Sequence, residues 1–183
     1  MEKTRFLVLG GMILAAAACR LIPHPPNFWP MTAMALFGGA CFVEKRWAFV
    51  VPLAALLLSD LVIGFHGVMP AVYGSVALIV CLGFWLRGRR TVVPIAGAAL
   101  VSTLLFFVVT NFGVWALQSM YPKTFAGLLA CYVAALPFLG NTLLGDAAYT
   151  VVLFGGLALA EKWLPALREP LPAYSGQASQ VGT

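Results

Sequence analysis

Charge is what this sequence lacks. Its 183 residues hold eleven lysines and arginines, six aspartates and glutamates and two histidines, and charged side chains make up only 9% of the chain. A soluble domain carries about 25%. So few charges cannot clothe a water-exposed surface, which excludes, for the chain as a whole, a soluble enzyme, a nucleic-acid-binding domain and a disordered polypeptide. The signatures of catalysis are missing too. No Walker A run is present, so the chain does not itself hydrolyse ATP, and HExxH, GxSxG and paired metal-ligand spacings are absent. The four cysteines, Cys19, Cys41, Cys81 and Cys131, are widely spaced and form no CxxC, which reads as small apolar packing residues. No internal repeat is visible. The expectation is a chain that is not an enzyme, with no catalytic set and no cofactor.

What is present is apolar length. Hydrophobic residues make up 62% of the chain, and the mean hydropathy is +0.96. A bilayer core of about 30 Å needs roughly 20 apolar helical residues. Six spans are expected: 6–22, a short one at 31–43, then 47–64, 71–86, 91–113 and 141–160. A further apolar stretch, 125–139, lies between Pro122 and the pair Pro137 and Gly140. It reads as a short helix at the interface or folded back into the bundle. The fold class is therefore all-α, an integral membrane six-helix bundle over 1–164 with an extra short interfacial helix before the last span. Residues 165–183, with Pro165, Pro170 and Pro172, read as a disordered cytoplasmic tail.

The scarce charges are unevenly placed. Lys3 and Arg5 precede the first span, Lys45 and Arg46 separate spans two and three, Arg87, Arg89 and Arg90 separate spans four and five, and Lys162 and Arg168 follow span six. With both termini in the cytoplasm, these nine fall inside and only Arg20 and Lys123 fall outside, as the positive-inside rule requires. The net charge of +5 is thus a topology signal, not a nucleic-acid signal. The run from Glu2 to Arg5, the apolar stretch after it and Cys19 imitate a lipoprotein signal peptide. The rest of the chain would still be strongly apolar, so the first helix is read as uncleaved.

The outer loops differ from the short basic inner ones. The first contains Pro23, His24, Pro25, Pro26, Asn27, Phe28, Trp29 and Pro30. The second contains Phe65, His66 and Met69, with Tyr73 soon after, and the long third runs from Asn111 and Trp115 to Tyr121 and Lys123. Prolines fix the first loop's backbone and remove donors. Irregular backbone at membrane depth persists only where protein buries it or a cavity hydrates it. Aromatic and polar side chains at the mouth of a helical bundle suit a ligand pocket, although Trp and Tyr also form interfacial belts and prolines terminate spans. Three ionisable residues belong to the spans: Arg20, Asp60 and Asp146. Asp146 follows Asn141 and Thr142 and is read within the first turn of its helix, at the same outer depth as the other two. A carboxylate in a span pairs or faces a cavity. A fold-locking ion pair of Arg20 with one aspartate, ligand contact, and a proton or cation relay all remain open. Gly11, Ala15 and Cys19 recur every four residues, a small-residue stripe that either packs internally or docks another membrane protein.

The run Arg20 to Pro30, with Ala35 to Gly39, resembles the DUF6580 family of small bacterial membrane proteins. The runs Ser59 to His66, Thr110 to Trp115 and Asn141 to Asp146 fit the same pattern. The resemblance covers about 5–160 and implies a transport role. The layout is also similar to the substrate-binding S-components of energy-coupling-factor vitamin transporters, by architecture and not by a shared motif. That likeness implies a vitamin enclosed by the three outer loops and a first helix docking a coupling subunit with ATPases. One branch of those proteins takes up cobalamin through a cysteine. Cys81 or Cys19 would be the metal-holding candidates here, and Cys81 lies too deep for the role.

The expected function is therefore transport of a small organic nutrient across the bacterial inner membrane, with both termini cytoplasmic. The expected ligand contacts are His24, Asn27, Phe28, Trp29, Asp60, His66, Tyr73, Asn111, Trp115, Tyr121, Asn141 and Asp146. Gly11 and Ala15 are the expected docking positions for a partner. The alternative is a non-transport assembly or docking subunit.

Overall fold

The computed structural model describes residues 3–168. Among them there is no strand, and the helices form six runs: α1 (Lys3–Ala18), α2 (Met31–Cys41), α3 (Lys45–Ile63), α4 (Met69–Trp85), α5 (Val92–Leu117) and the joined α6 (Phe125–Thr150) and α7 (Gly156–Trp163). A 3₁₀ turn, Cys19–Leu21, extends α1, and a π-helical segment, Val151–Gly155, joins α6 to α7 without a break. Four of these runs are long and apolar enough to cross a bilayer: Lys3–Leu21, Lys45–Ile63, Val92–Leu117 and Phe125–Trp163. Their outer faces carry large apolar side chains in the open. Leu58, Val62 and Leu61 on α3 are 56–71% exposed, and Leu100 on α5 and Leu136 on α6 are half exposed. Such a surface is stable against lipid and not against water.

The shortest helix is the centre. Every residue of α2 from Thr32 to Cys41 is buried, and α1, α3, α4, α5 and α6 all pack on it. Small residues permit this. A Cβ added at Gly83 of α4 would come within 2.6 Å of the Leu36 carbonyl oxygen, and within 2.8 Å of the Gly39 Cα. The α2 and α4 backbones are in contact there, as in small-residue crossings of membrane helices. On the other side, a Cβ at Gly38 would lie 2.6 Å from Cγ of Pro52, whose ring caps α2 from within α3. With 11 residues, α2 rises only about 16 Å. The loop before it supplies the remaining depth.

The two ends of the bundle have opposite characters. Arg5, 1% exposed, pairs with Glu161 at 3.0 Å and donates to the Leu167 carbonyl, so the described termini meet. Arg87 donates to the carbonyls of Gly39, Phe42 and Val43 and closes the C-terminus of α2, where a cation suits the helix dipole. Phe6 packs on Phe42 and Trp47, and Lys45 lies over Phe84. All nine basic residues expected on one face stand at this basic end. Arg20 and Lys123 stand at the other.

Three sequence expectations are corrected. Residues 125–139 and 141–160 are not two helices. One helical run of 39 residues passes through Pro137 and Gly140, because neighbouring helices accommodate the bond that proline removes. The tail does not begin at 165, since Pro165–Leu167 is a 3₁₀ turn whose Leu167 is buried against the bundle and held by Arg5. The rest of the predicted tail, from 169, lies outside the described residues. Third, Asp146 is not in the first turn of its helix but 21 residues in, opposite Thr103 near the middle of α5.

Candidate functional site

Two buried acids organise the end opposite the basic one. Arg20, on the 3₁₀ turn after α1, pairs through Nη2 with Asp60 Oδ1 at 2.8 Å. Its Nη1 donates to Ser59 Oγ, and its guanidinium lies 5.1 Å from the centre of the Trp29 ring. Tyr73 OH donates to the other Asp60 oxygen at 2.9 Å. Arg20, Asp60 and Ser59 are all at most 7% exposed. The pair and its hydrogen bonds link the end of α1 to α3 and α4. Asp146 is different. Its Oδ1 accepts from the Thr32 hydroxyl of α2, and its Oδ2 accepts from Thr103 Oγ1 of α5 at 2.6 Å. No basic side chain among the described residues forms an ion pair with it. Among the described residues only hydroxyls hold it, which is costly for a buried carboxylate in a membrane, and Asp146 also borders open space.

That space is a cavity of about 390 Å³. The helix geometry creates it. Cys131 Sγ of α6 contacts the Asn111 carbonyl of α5, and Asp146 contacts Thr103. Between these points α5 rises about 12 Å and α6 about 22 Å. The two helices cannot run alongside each other, so α6 bows outward, with Pro137 in the bow. The α5 wall is Phe106, Phe107, Thr110, Asn111 and Val114. The α6 wall is Cys131, Ala134, Ala135, Phe138, Leu139 and Thr142, ending on Asp146. Both sets repeat with helical spacing on one face. The loops close the top. Gly64, at φ 105, ends α3 in a conformation that glycine tolerates and leads into the loop that brings His66 to the cavity. Asn27, at φ 61, turns the first loop so that Trp29 and Met31 line the wall.

Of the ligand contacts expected from sequence, Asn27, Trp29, His66, Asn111, Tyr121 and Asp146 line this cavity, and Arg20 lines it with them. The others do not, and each has a different task. His24 packs edge-on against Trp29 at 4.8 Å. Asn141 donates to the Pro26 carbonyl at 3.0 Å, and the Phe28 backbone rests on Gly145 while its ring meets Tyr149. These contacts seat the proline-rich loop against α6. Trp115 donates to the Pro122 carbonyl at 3.0 Å and braces the α5–α6 loop. Asp60 and Tyr73 stand behind Arg20. Neither cysteine named for cobalt reaches the cavity. Cys81 is exposed on α4, and Cys19 donates to its own helix at Ala15. Cys131 is the cysteine that lines it. Among the described residues no group of three or more His, Cys, Asp or Glu side chains is placed to hold a metal.

Sequence reasoning missed Thr32, Thr103, Phe106, Phe107 and Phe138. The usable signal was the helical face running back from Asp146 through Thr142, Phe138 and Ala135. Gly11 and Ala15 are exposed, and a Cβ at Gly11 would meet nothing within 4 Å. Their stripe therefore faces out of the bundle.

A second cavity, of about 490 Å³, lies along the same α5–α6 seam toward the basic end. The two share one lining residue, Asp146. No curated protein and no solved structure matches this chain. The model of a family of unknown function, DUF6580, matches residues 1–167, the bundle with both cavities, and the chain belongs to that family.

Proposed function

We propose that this protein is a transport protein of the bacterial inner membrane that binds a small organic, vitamin-like nutrient in the cavity at its less basic end. The observation that carries the reading is that Asp146, a buried carboxylate without an ion-pair partner among the described residues, lines a cavity with Asn27, Trp29, His66 and Asn111. Ligand pockets are largely apolar concavities of about 300–1,000 Å³ with a few convergent polar groups, and this one agrees in size and lining. By the positive-inside rule the basic end is cytoplasmic, so both termini are inside and the cavity opens outward. Energy then comes from outside the chain, through a coupling subunit with ATPases docked on α1 or through an ion gradient. With neither Cys19 nor Cys81 at the cavity, no cobalt ligand from those positions supports cobalamin as the nutrient.

The exposed Gly11 and Ala15 favour a second reading, a docking subunit that transports nothing. One experiment separates the two. The purified protein is analysed for co-purifying small molecules by mass spectrometry, and its melting temperature is followed across a vitamin panel. Transport predicts a bound molecule and a shift that Asn111→Ala and His66→Ala weaken at least tenfold in affinity, while Gly11→Leu leaves it unchanged. An assembly that Gly11→Leu disrupts, in a protein that binds nothing, would establish the docking reading instead.

A further inference from the structure

The second cavity has a different chemistry from the first and is not used by the proposed function. It is a groove between α5 and the α6–α7 run. Its floor is Ile95, Ala99 and Phe154, and its rims are Leu100, Leu143 and Val151, with no acid or base between its two ends. At one end is Asp146. At the other stands Arg90, half-buried, and Lys162 follows Ala158 of the groove by one turn on the same face of α7. The groove is therefore largely apolar along its length, with the Thr103 and Thr150 hydroxyls as its polar groups, and has two basic side chains at its mouth, Arg90 also touching Cys41 Sγ, at the end where nine of the eleven basic residues gather.

Its length is also specific. From Val92 to Thr103 the α5 wall rises about 16 Å, close to half of a hydrocarbon core of about 30 Å, which is the depth of one leaflet. The π-helical turn Val151–Gly155 supplies three of the lining residues, Val151, Phe154 and Gly155. Its wider turn, together with the small side chains of Ala96, Ala147 and Ala158, keeps the groove open. Aqueous solutes gain little from such a surface, and a second protein helix would find only the hydroxyls of Thr103 and Thr150 along it to fix its register.

We infer that this groove binds one anionic phospholipid of the leaflet at the basic end, with an acyl chain between α5 and α6 and the phosphate against Arg90 and Lys162. Basic pockets between membrane helices hold acidic headgroups in this way. Occupied, the groove would brace the α5–α6 seam on the inner side of Asp146.

The full chain is reconstituted with equal amounts of phosphatidylglycerol and phosphatidylcholine, extracted in mild detergent and examined by native mass spectrometry. One retained phosphatidylglycerol per protein is expected, preferred over phosphatidylcholine by roughly five-fold for each basic side chain at the mouth. Arg90→Gln with Lys162→Gln should retain a lipid but lose the preference. Ala96→Phe and Ala147→Phe, both at exposed groove positions, should lose the lipid while keeping the fold, as read from the thermal transition. Equal retention of the two lipids by the natural chain overturns the inference. So does retention that survives the phenylalanine variants, or a lipid-free dimer, which would make a second copy the occupant. None of these outcomes depends on whether a nutrient binds at the other cavity.

Discussion

Arg20 and Asp60 illustrate how a charge is kept in this bundle. Both are nearly out of reach of solvent, and the pair is completed by Ser59 and Tyr73, so every Asp60 oxygen has a donor. Removing one member leaves the other charged, buried and alone, which costs about 3–5 kcal/mol, whereas replacing both with apolar residues of similar volume is often neutral. Asp60→Asn should therefore lower stability by about that amount. Arg20→Met combined with Asp60→Leu should recover most of it, as measured by reversible unfolding in detergent. A single variant as stable as the natural chain would mean that the pair is not what ties α1 to α3. Sequence could place Arg20, Asp60 and Asp146 in spans, but not decide which acid meets the arginine. That choice depends on α1 lying against α3, while α6 lies across the cavity.

At the scale of the element, α2 is the least conventional helix and the most constrained. Its 11 residues are too few to span, and its apolar run continues to 43 in sequence, so its true length could not be read from hydropathy. What holds it is the close approach of Gly39 and Gly83. Gly83→Leu must push α2 and α4 apart or unseat the Leu36 carbonyl, and should cost several kcal/mol as overpacking of a tight contact. Gly97→Leu on α5, where an added Cβ meets nothing within 4 Å, should cost less than about 1 kcal/mol. Thermal unfolding of the two purified variants checks the difference, and equal melting temperatures would remove the contact as an explanation. The α6 helix teaches the opposite lesson. Pro137 and Gly140 read as a stop in sequence, yet the helix continues and bends. In water a proline in a helix interior costs about 3 kcal/mol, while in lipid an unravelled backbone would leave several polar groups unsatisfied. Continuing with a bow is the cheaper course, and the bow makes the cavity.

For the whole molecule, the testable feature is its polarity. If the basic end is cytoplasmic, a cysteine at Arg89 should react with a membrane-impermeant maleimide only after cells are opened, and one at Met120 should react in intact cells. Both residues are exposed, at opposite ends of the bundle. The chain for this test carries serine at its native cysteines. The reverse labelling pattern would invert the topology and turn the cavity toward the cytoplasm.

The amino-acid sequence by itself determined membrane residence, helical class and the segregation of nine basic residues to one end. These follow from composition and from order along the chain, which act locally: apolar runs must bury their backbone polar groups in helices, and cations stay at the edges of the hydrocarbon. It also named six of the cavity-lining residues, Asn27, Trp29, His66, Asn111, Tyr121 and Asp146, from the aromatic and polar loops and the span residues beside them. Tertiary structure alone decided the remainder. It set Asp146 against Thr32 and Thr103, drew Asp60 and Tyr73 behind Arg20, turned the Gly11 stripe outward and seated the proline-rich loop on Asn141. Each of these depends on which helix lies beside which, and the chain's nearly uniform apolarity says little about that. In lipid no solvent-facing side marks a helix's orientation, so partners are chosen by small residues and a few hydrogen bonds that only the packed bundle brings together.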